Sequence, residues 1–381
     1  MPELYLGSSP HIGTPVRTPA LMAHVLIALT PVSVFGVVLY GIPALILILV
    51  TAAASAAGEA LFRLITKQEN RSGDLSALVT GLLLALVLPP STPLWMAALG
   101  GIFAVIVAKE FFGGLGANVF NPALCGRAFL LMSFPAFITA WTMPGGAAVP
   151  EAVLAADRAA LSGADALSAA SQGLALDSIS GATPLGIIKM GGAVHDVGRQ
   201  FAALGLSKGE DYLSVIRTLF TGSHAGTIGE SSILLILAGC LYLLVMKVID
   251  WRAPLAMVVS AFVLSAALGM DPLFGVLAGG LCFGAVFMTT DYTTAPLTAK
   301  GKLLFGAGAG IITVLIRRWG NYPEGVTYGI LIMNAVTPFL NRLLQKKYGY
   351  VKPKKAAGKT GGGPKAGGGS GGGHMKAEGA Q

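Results

Sequence analysis

Apolar residues run along this chain in long blocks separated by short polar breaks. A helix needs about 20 residues to cross a bilayer. Blocks of that order are predicted at 21–40, 42–63, 75–89, 93–112 and 119–142. A second group follows at 232–249, 254–270, 273–290, 302–320 and 325–344. The third block is short and stops at Leu88-Pro89-Pro90, which predicts a half-helix or a broken one. Between the groups lies a polar stretch, 143–230, and a basic glycine-rich tail follows from Lys346. The predicted organisation is therefore 1–142, 143–230, 231–345 and a tail at 346–381 without a core.

The two groups of five read as a repeat. Gly81-Leu82-Leu83-Leu84-Ala85-Leu86-Val87 can be laid on Gly280-Leu281-Cys282-Phe283-Gly284-Ala285-Val286. Each is followed by a Pro/Thr-rich break, Pro89 to Leu94 in the first half and Thr289 to Leu297 in the second. An odd number of crossings reverses direction, so five-helix repeats of this kind are inverted, with their site where the broken helices converge. Arg17, Arg63, Lys67, Arg71, Lys109, Lys247, Arg252, Lys300 and Lys302 gather in breaks on one side, while the breaks near 41, 91 and 271 carry no Lys or Arg. The positive-inside rule then puts both termini in the cytoplasm and 143–230 outside. Arg317-Arg318 is the exception to that pattern.

Composition narrows the class. Hydrophobic residues make up 54% of the 381, charged ones only 12%, and the mean hydropathy is +0.72. Soluble domains carry about 25% charge, so this is a membrane composition. The formal charge of +8 does not point to nucleic acid, because eight of the 26 basic residues lie in the tail from Lys346 onward. Fifty-two glycines suit closely packed membrane helices. Cys125, Cys240 and Cys282 stand singly in apolar runs, and the five histidines are dispersed. Neither set has metal or iron–sulfur spacing, and no glycine-rich turn follows a strand. Nicotinamide and iron–sulfur chemistry, if involved, must come from partner subunits.

The polar stretch contains Asp177-Ser178-Ile179-Ser180-Gly181-Ala182-Thr183-Pro184-Leu185. Gly181 and Ala182 leave steric room beside the Thr183 hydroxyl, and Pro184 biases Thr183 towards extended backbone. The stretch resembles the Asp-x-x-Ser-Gly-Ala-Thr signature at which a flavin transferase joins FMN to threonine through its phosphate. That signature belongs to a family of flavin-bearing subunits of the Rnf ferredoxin:NAD oxidoreductase and of the sodium-pumping NADH:quinone oxidoreductase. Further resemblance lies in Leu88 to Trp95, in Lys109-Glu110-Phe111-Phe112-Gly113-Gly114-Leu115-Gly116-Ala117-Asn118-Val119-Phe120-Asn121-Pro122, in Gly126-Arg127-Ala128-Phe129 and in Tyr322-Pro323-Glu324-Gly325. The short arm before Ser8-Ser9-Pro10-His11-Ile12 is similar to the Rnf branch, its D subunits, rather than to the quinone reductase B subunits.

The resemblance implies an all-α polytopic membrane protein of ten helices in a urea-transporter-like inverted repeat, in the bacterial inner membrane. It implies covalent FMN on Thr183, with Asp177, Ser180, Gly181, Ala182 and Leu185 completing the attachment motif. A second, non-covalent flavin, usually riboflavin, is implied nearer the cytoplasm, with Asn118, Asn121 and Arg127 as candidate lining residues. Implied partners are the other subunits of such a complex, including a second covalent-FMN subunit and iron–sulfur subunits that meet ferredoxin and NAD. A passive channel or solute transporter on the same fold stays open as the rival reading.

Ionisable side chains inside membrane helices are costly and therefore functional suspects. Glu59, Glu110 and Asp291 are the candidates for a path taking Na+ or H+. Glu59 and Arg63, four apart, also suit a plain ion pair.

Overall fold

The computed structural model describes residues 17–68, 72–139, 141, 183–189, 191–203, 209, 211–222, 224–320 and 324–344. Among these every regular element is helical. The first half opens with α1 (Thr18–Tyr40) and α2 (Ile42–Ile65), separated only by Gly41. Gly41 takes φ 75°, a conformation that side chains resist, and its N–H caps the Val37 carbonyl at 2.8 Å. Then come α3 (Ser76–Leu86), α4 (Leu94–Ile106), α5 (Pro122–Ser133) and the single turn α6 (Pro135–Ile138).

The breaks have local causes. Helix α3 ends ahead of Leu88-Pro89, because the residue before a proline is pushed out of helical backbone. Its 11 residues give about 16 Å at 1.5 Å per residue, roughly half of a hydrocarbon core. Helix α5 starts on Asn121, whose side chain accepts the Leu124 N–H at 3.3 Å, and Pro122 then fills a position that needs no donor. The predicted 119–142 crossing is thus shorter than its hydropathy suggests, being interrupted at Phe134-Pro135.

The stretch predicted as polar contains α7 (Pro184–Lys189), α8 (Val194–Ala203) and α9 (Tyr212–Thr221). Val197, Phe201, Val215 and Leu219 form a small apolar core with Phe274 and Ala278, and Leu185, Ile187 and Ile188 pack on it. Tyr212 Oη donates to Asp271 Oδ1 at 3.0 Å; burial and that carboxylate push the phenol up to about 12.

The second half holds α10 (Ile233–Val245), α11 (Arg252–Ala267) and α12 (Pro272–Leu277). Short α13 (Leu281–Phe283) runs straight into a π-helical turn at Gly284–Met288. Helices α14 (Ala299–Trp319) and α15 (Val326–Leu344) complete it. The predicted 273–290 crossing is corrected here. It is cut at Ala278-Gly279-Gly280, where Ala278 is extended and Gly279 takes φ 71°. The paired glycines supply a break that hydropathy alone passes over.

Among the described residues four segments are long and apolar enough to cross a membrane: Thr18–Tyr40, Ile42–Ile65, Leu94–Phe112 and Ala299–Trp319. Helices α3, α5, α10 and α11 are shorter apolar helices, and together the set is that of a polytopic membrane protein. Glycine sets the closest approaches in both halves. A Cβ on Gly101 of α4 would lie 2.7 Å from Ser55 Oγ of α2, and one on Gly310 of α14 would lie 2.2 Å from Ser260 Oγ of α11. Apolar membrane helices gain little by hiding from lipid, so such backbone proximity is what packs them.

One segment departs from its predicted place. Residues 224–232, assigned by pattern mostly to the polar stretch, are folded into the core, with Thr227, Ile228 and Ser231 almost fully buried. The Ile228 N–H donates to the Leu88 carbonyl beyond the end of α3 at 3.3 Å. Gly229 sits between the two broken helices: a Cβ there would lie 2.9 Å from Leu86 and 3.0 Å from Phe283.

Candidate functional site

Thr183 is the first described residue of the attachment motif; Asp177, Ser180, Gly181 and Ala182 lie outside the described residues. It immediately precedes α7 and is 5% exposed. Its Oγ1 accepts the Gly186 N–H at 3.1 Å, the ordinary hydrogen bond of a threonine ahead of a helix. One turn on, Lys189 Nζ donates to the Arg317 carbonyl at 3.2 Å and to the Gly320 carbonyl. These are the free carbonyls at the end of α14, so a cation from α7 closes that helix. Burial lowers the Lys189 ammonium below the usual lysine range. Leu185, Lys189, Asp271, Arg317 and Arg318 line a cavity of about 420 Å³ beside α7.

The first-half charges gather away from this cavity. Arg63 lies 3.0 Å from Glu59 and 3.1 Å from Glu110, and Lys109 lies 3.1 Å from Glu59. All four side chains are at most 5% exposed. Lys109 also donates to Ser76 Oγ at 2.5 Å. The predicted Glu59–Arg63 pair is present, but it is part of a neutral quartet that joins α2 to the end of α4. Two carboxylates and two cations offset one another's burial cost only while all are present.

Asn118, Asn121 and Asp291 meet at a narrow cavity of about 70 Å³ that Ser76, Lys109, Tyr292 and Thr293 also line. Asn118 Nδ2 donates to Thr293 Oγ1 at 2.9 Å, while its buried Oδ1 accepts nothing from the described residues. Asp291 accepts from the Thr293 and Thr294 hydroxyls at 3.2 and 3.1 Å, closing the turn after the π-helix. Tyr292, Asp291, Thr290 and Ile249 continue into a wider cavity of about 510 Å³ whose rim carries Lys247, Arg252 and Lys302. On that rim Asp250 lies 2.8 Å from Arg252 and 3.1 Å from Lys302.

Arg127, predicted beside the asparagines, points elsewhere and pairs with Glu324 at the head of α15. Arg317 donates to the carbonyls of Gly275 and Ala278, the latter at 3.1 Å, and so satisfies the end of broken α12. Glu230, on the buried 228–230 turn, faces the same group. Sequence reasoning passed over Glu230 and Lys189. The signal for Glu230 was available: a carboxylate in Gly229-Glu230-Ser231, three residues ahead of an apolar helix.

Among the described residues no cluster of His, Cys, Asp and Glu could hold a metal ion. A sequence model of the NQR2, RnfD, RnfE family matches residues 5–349. The D subunit of the proton-translocating ferredoxin:NAD(+) oxidoreductase complex of Clostridium ljungdahlii is 38% identical over 352 residues, covering 90% of this chain and 96% of that one. The D subunit of the Na(+)-translocating complex of Acetobacterium woodii is 36% identical over 358 residues, with 93% and 98% covered. The D subunit of an ion-translocating oxidoreductase complex of Stutzerimonas stutzeri is 38% identical over 341 residues, with 86% and 91% covered.

Proposed function

The chain belongs to the NQR2, RnfD, RnfE family, and on that footing we propose that it is the membrane subunit of an ion-translocating ferredoxin:NAD oxidoreductase, bearing FMN on Thr183. The observation that carries the reading is the Asp177–Leu185 motif, whose Thr183 stands at the head of α7, the helix whose Leu185 and Lys189 line a cavity with Asp271, Arg317 and Arg318. Lys189, Arg317 and Arg318 on that cavity suit the anionic phosphate of an FMN ester. When bound, FMN supplies the capacity to take and pass single electrons. The protein holds α7 in place through the Lys189 contacts to the end of α14, and so fixes where Thr183 stands.

Riboflavin fits the chemistry of the second site. The unpartnered Asn118 Oδ1 is an acceptor waiting for an N–H or O–H donor. The 70 Å³ void alone is below the range of about 300–1,000 Å³ usual for ligand pockets, whereas the adjoining 510 Å³ cavity falls inside it. Asn118 and Asn121 would hold that flavin, and Arg127, tied to Glu324, would not. In this reading Asp291 stands between the two cavities as a step for Na+ or H+, and the Glu59–Glu110 quartet fixes α2 against α4. The bundle is an inverted repeat of ten helices in the bacterial inner membrane, with both termini cytoplasmic and Thr183 outside. Iron–sulfur subunits and a second covalent-FMN subunit bring electrons from ferredoxin and NAD.

The test is flavin fluorescence on the denatured full-length polypeptide, expressed with its flavin transferase and run in a gel. A fluorescent band that Thr183→Ala abolishes is expected. A dark wild-type band would leave only a pore on the same fold.

A further inference from the structure

The two broken helices converge on one acidic side chain. Glu230 ends the 228–230 turn and is 5% exposed. Its Oε1 lies against the second break, 2.7 Å from where a Cβ on Gly280 would stand, and accepts no hydrogen bond from the described residues. The charged and titratable neighbours come from every side. Tyr40 of α1 donates to the His224 carbonyl at 3.1 Å, the buried His224 imidazole and Glu230 Oε2 both border Gly226, and Arg127 of α5 is held by Glu324 ahead of α15. Arg317 of α14 is occupied by two carbonyls of the break, and Cys282 of α13 lies buried nearby. Neither guanidinium makes an ion pair with Glu230 among the described residues.

The other side of the same break faces the Thr183 helix. A Cβ on Gly279 would lie 2.5 Å from Leu185 Cδ1, so α7 rests on Gly279 while Glu230 rests on Gly280. Any shift of α7 bears on the peptide that shapes the Glu230 surroundings.

We propose that Glu230 is a proton-carrying site of the ion path, coupled to the Thr183 helix through the Gly279–Gly280 break. A buried carboxylate oxygen without a donor is costly, and one proton both removes its charge and turns it into a donor. A sodium ion would need several oxygen ligands here, and two guanidiniums oppose it. The step is simple: Glu230 Oε1 gains H+ from water on one side and releases H+ to water on the other. No electrons are exchanged at Glu230 itself.

The coupling to electron flow rests on the function proposed above, so the two are tested separately. In the whole complex reconstituted in vesicles, Glu230→Gln is expected to lower protons moved per electron by about fivefold or more, with in-gel flavin fluorescence intact. Glu230→Asp should restore part of the loss. Infrared spectra of the purified full-length chain through a pH titration should contain a protonated carboxyl band that Glu230→Gln removes and Asp250→Asn, on a separate rim, leaves. That band does not depend on flavin, and so it separates failure of this site from failure of the redox reading. Wild-type proton movement per electron in Glu230→Gln, or an unchanged carboxyl band, would overturn the assignment.

Discussion

The bundle encloses two groups of four charges, and they are built differently. In the first half Glu59, Arg63, Lys109 and Glu110 are bound to one another within 3.1 Å. Around the helix breaks Arg127 is taken by Glu324 and Arg317 by backbone carbonyls, which leaves Glu230 with no cation of its own among the described residues. Both groups balance in sign, so neither is costly on charge count alone. What differs is how completely each cation is committed to a carboxylate. A closed quartet behaves as a bolt, because none of its members can change charge without stranding another. A group with one carboxylate outside the pairing can change protonation without breaking an ion pair.

The contrast is sharpest under substitution. Lys109→Met should leave Arg63 alone to neutralise both Glu59 and Glu110 and cost about 3–5 kcal/mol, read as loss of the folded chain in detergent melting. Glu324→Gln should cost about 2–4 kcal/mol by freeing Arg127, while Glu230→Gln should stay within about 1 kcal/mol in the same melting assay. If Glu230→Gln destabilised the fold as much as Lys109→Met, the two groups would be alike and the comparison would fail. The glycine contacts offer a smaller test. A Cβ on Gly306 would lie 2.2 Å from the Ala253 carbonyl, whereas on Gly101 it first meets the Ser55 hydroxyl, which can turn away. Gly306→Ala should therefore cost about 1–3 kcal/mol and Gly101→Ala less, by thermal shift.

The smallest effect is expected at Asp250, outside the helices. Burial alone would raise its carboxyl, but hydrogen bonds from the Arg252 N–H, Lys302 and the Arg252 side chain outweigh that and hold it below the usual carboxylate range. A depressed value stabilises the fold above the unfolded carboxylate pKa, and that contribution is lost as pH falls through the lower folded value. Asp250→Asn should flatten the acid side of a melting-temperature profile by at most about 1 kcal/mol, as exposed pairs do.

Much of this was legible in sequence because bilayer crossing leaves a strong hydropathy signal. The predicted blocks 21–40, 42–63, 302–320 and 325–344 coincide with α1, α2, α14 and α15 within a few residues. The Leu88-Pro89-Pro90 stop was readable because proline acts on its immediate neighbour. The Gly279-Gly280 cut was not, since glycine is common inside membrane helices and only packing decides whether it bends. Residues 224–232 were misread for the opposite reason: their polar composition hides burial that depends on two distant helix ends. The threonine motif was legible as a string, whereas the lysine contacts that hold its helix depend on residues more than a hundred positions later.

The wedge at Gly229 also constrains how the molecule is made. It can seat only after the end of α3 and the end of α13 have both arrived, one long before it in the chain and one after. During biosynthesis the first bundle must therefore wait with an unfilled seam until translation has passed Phe283. Severing the chain between the halves should yield two fragments that survive in the membrane only when produced together.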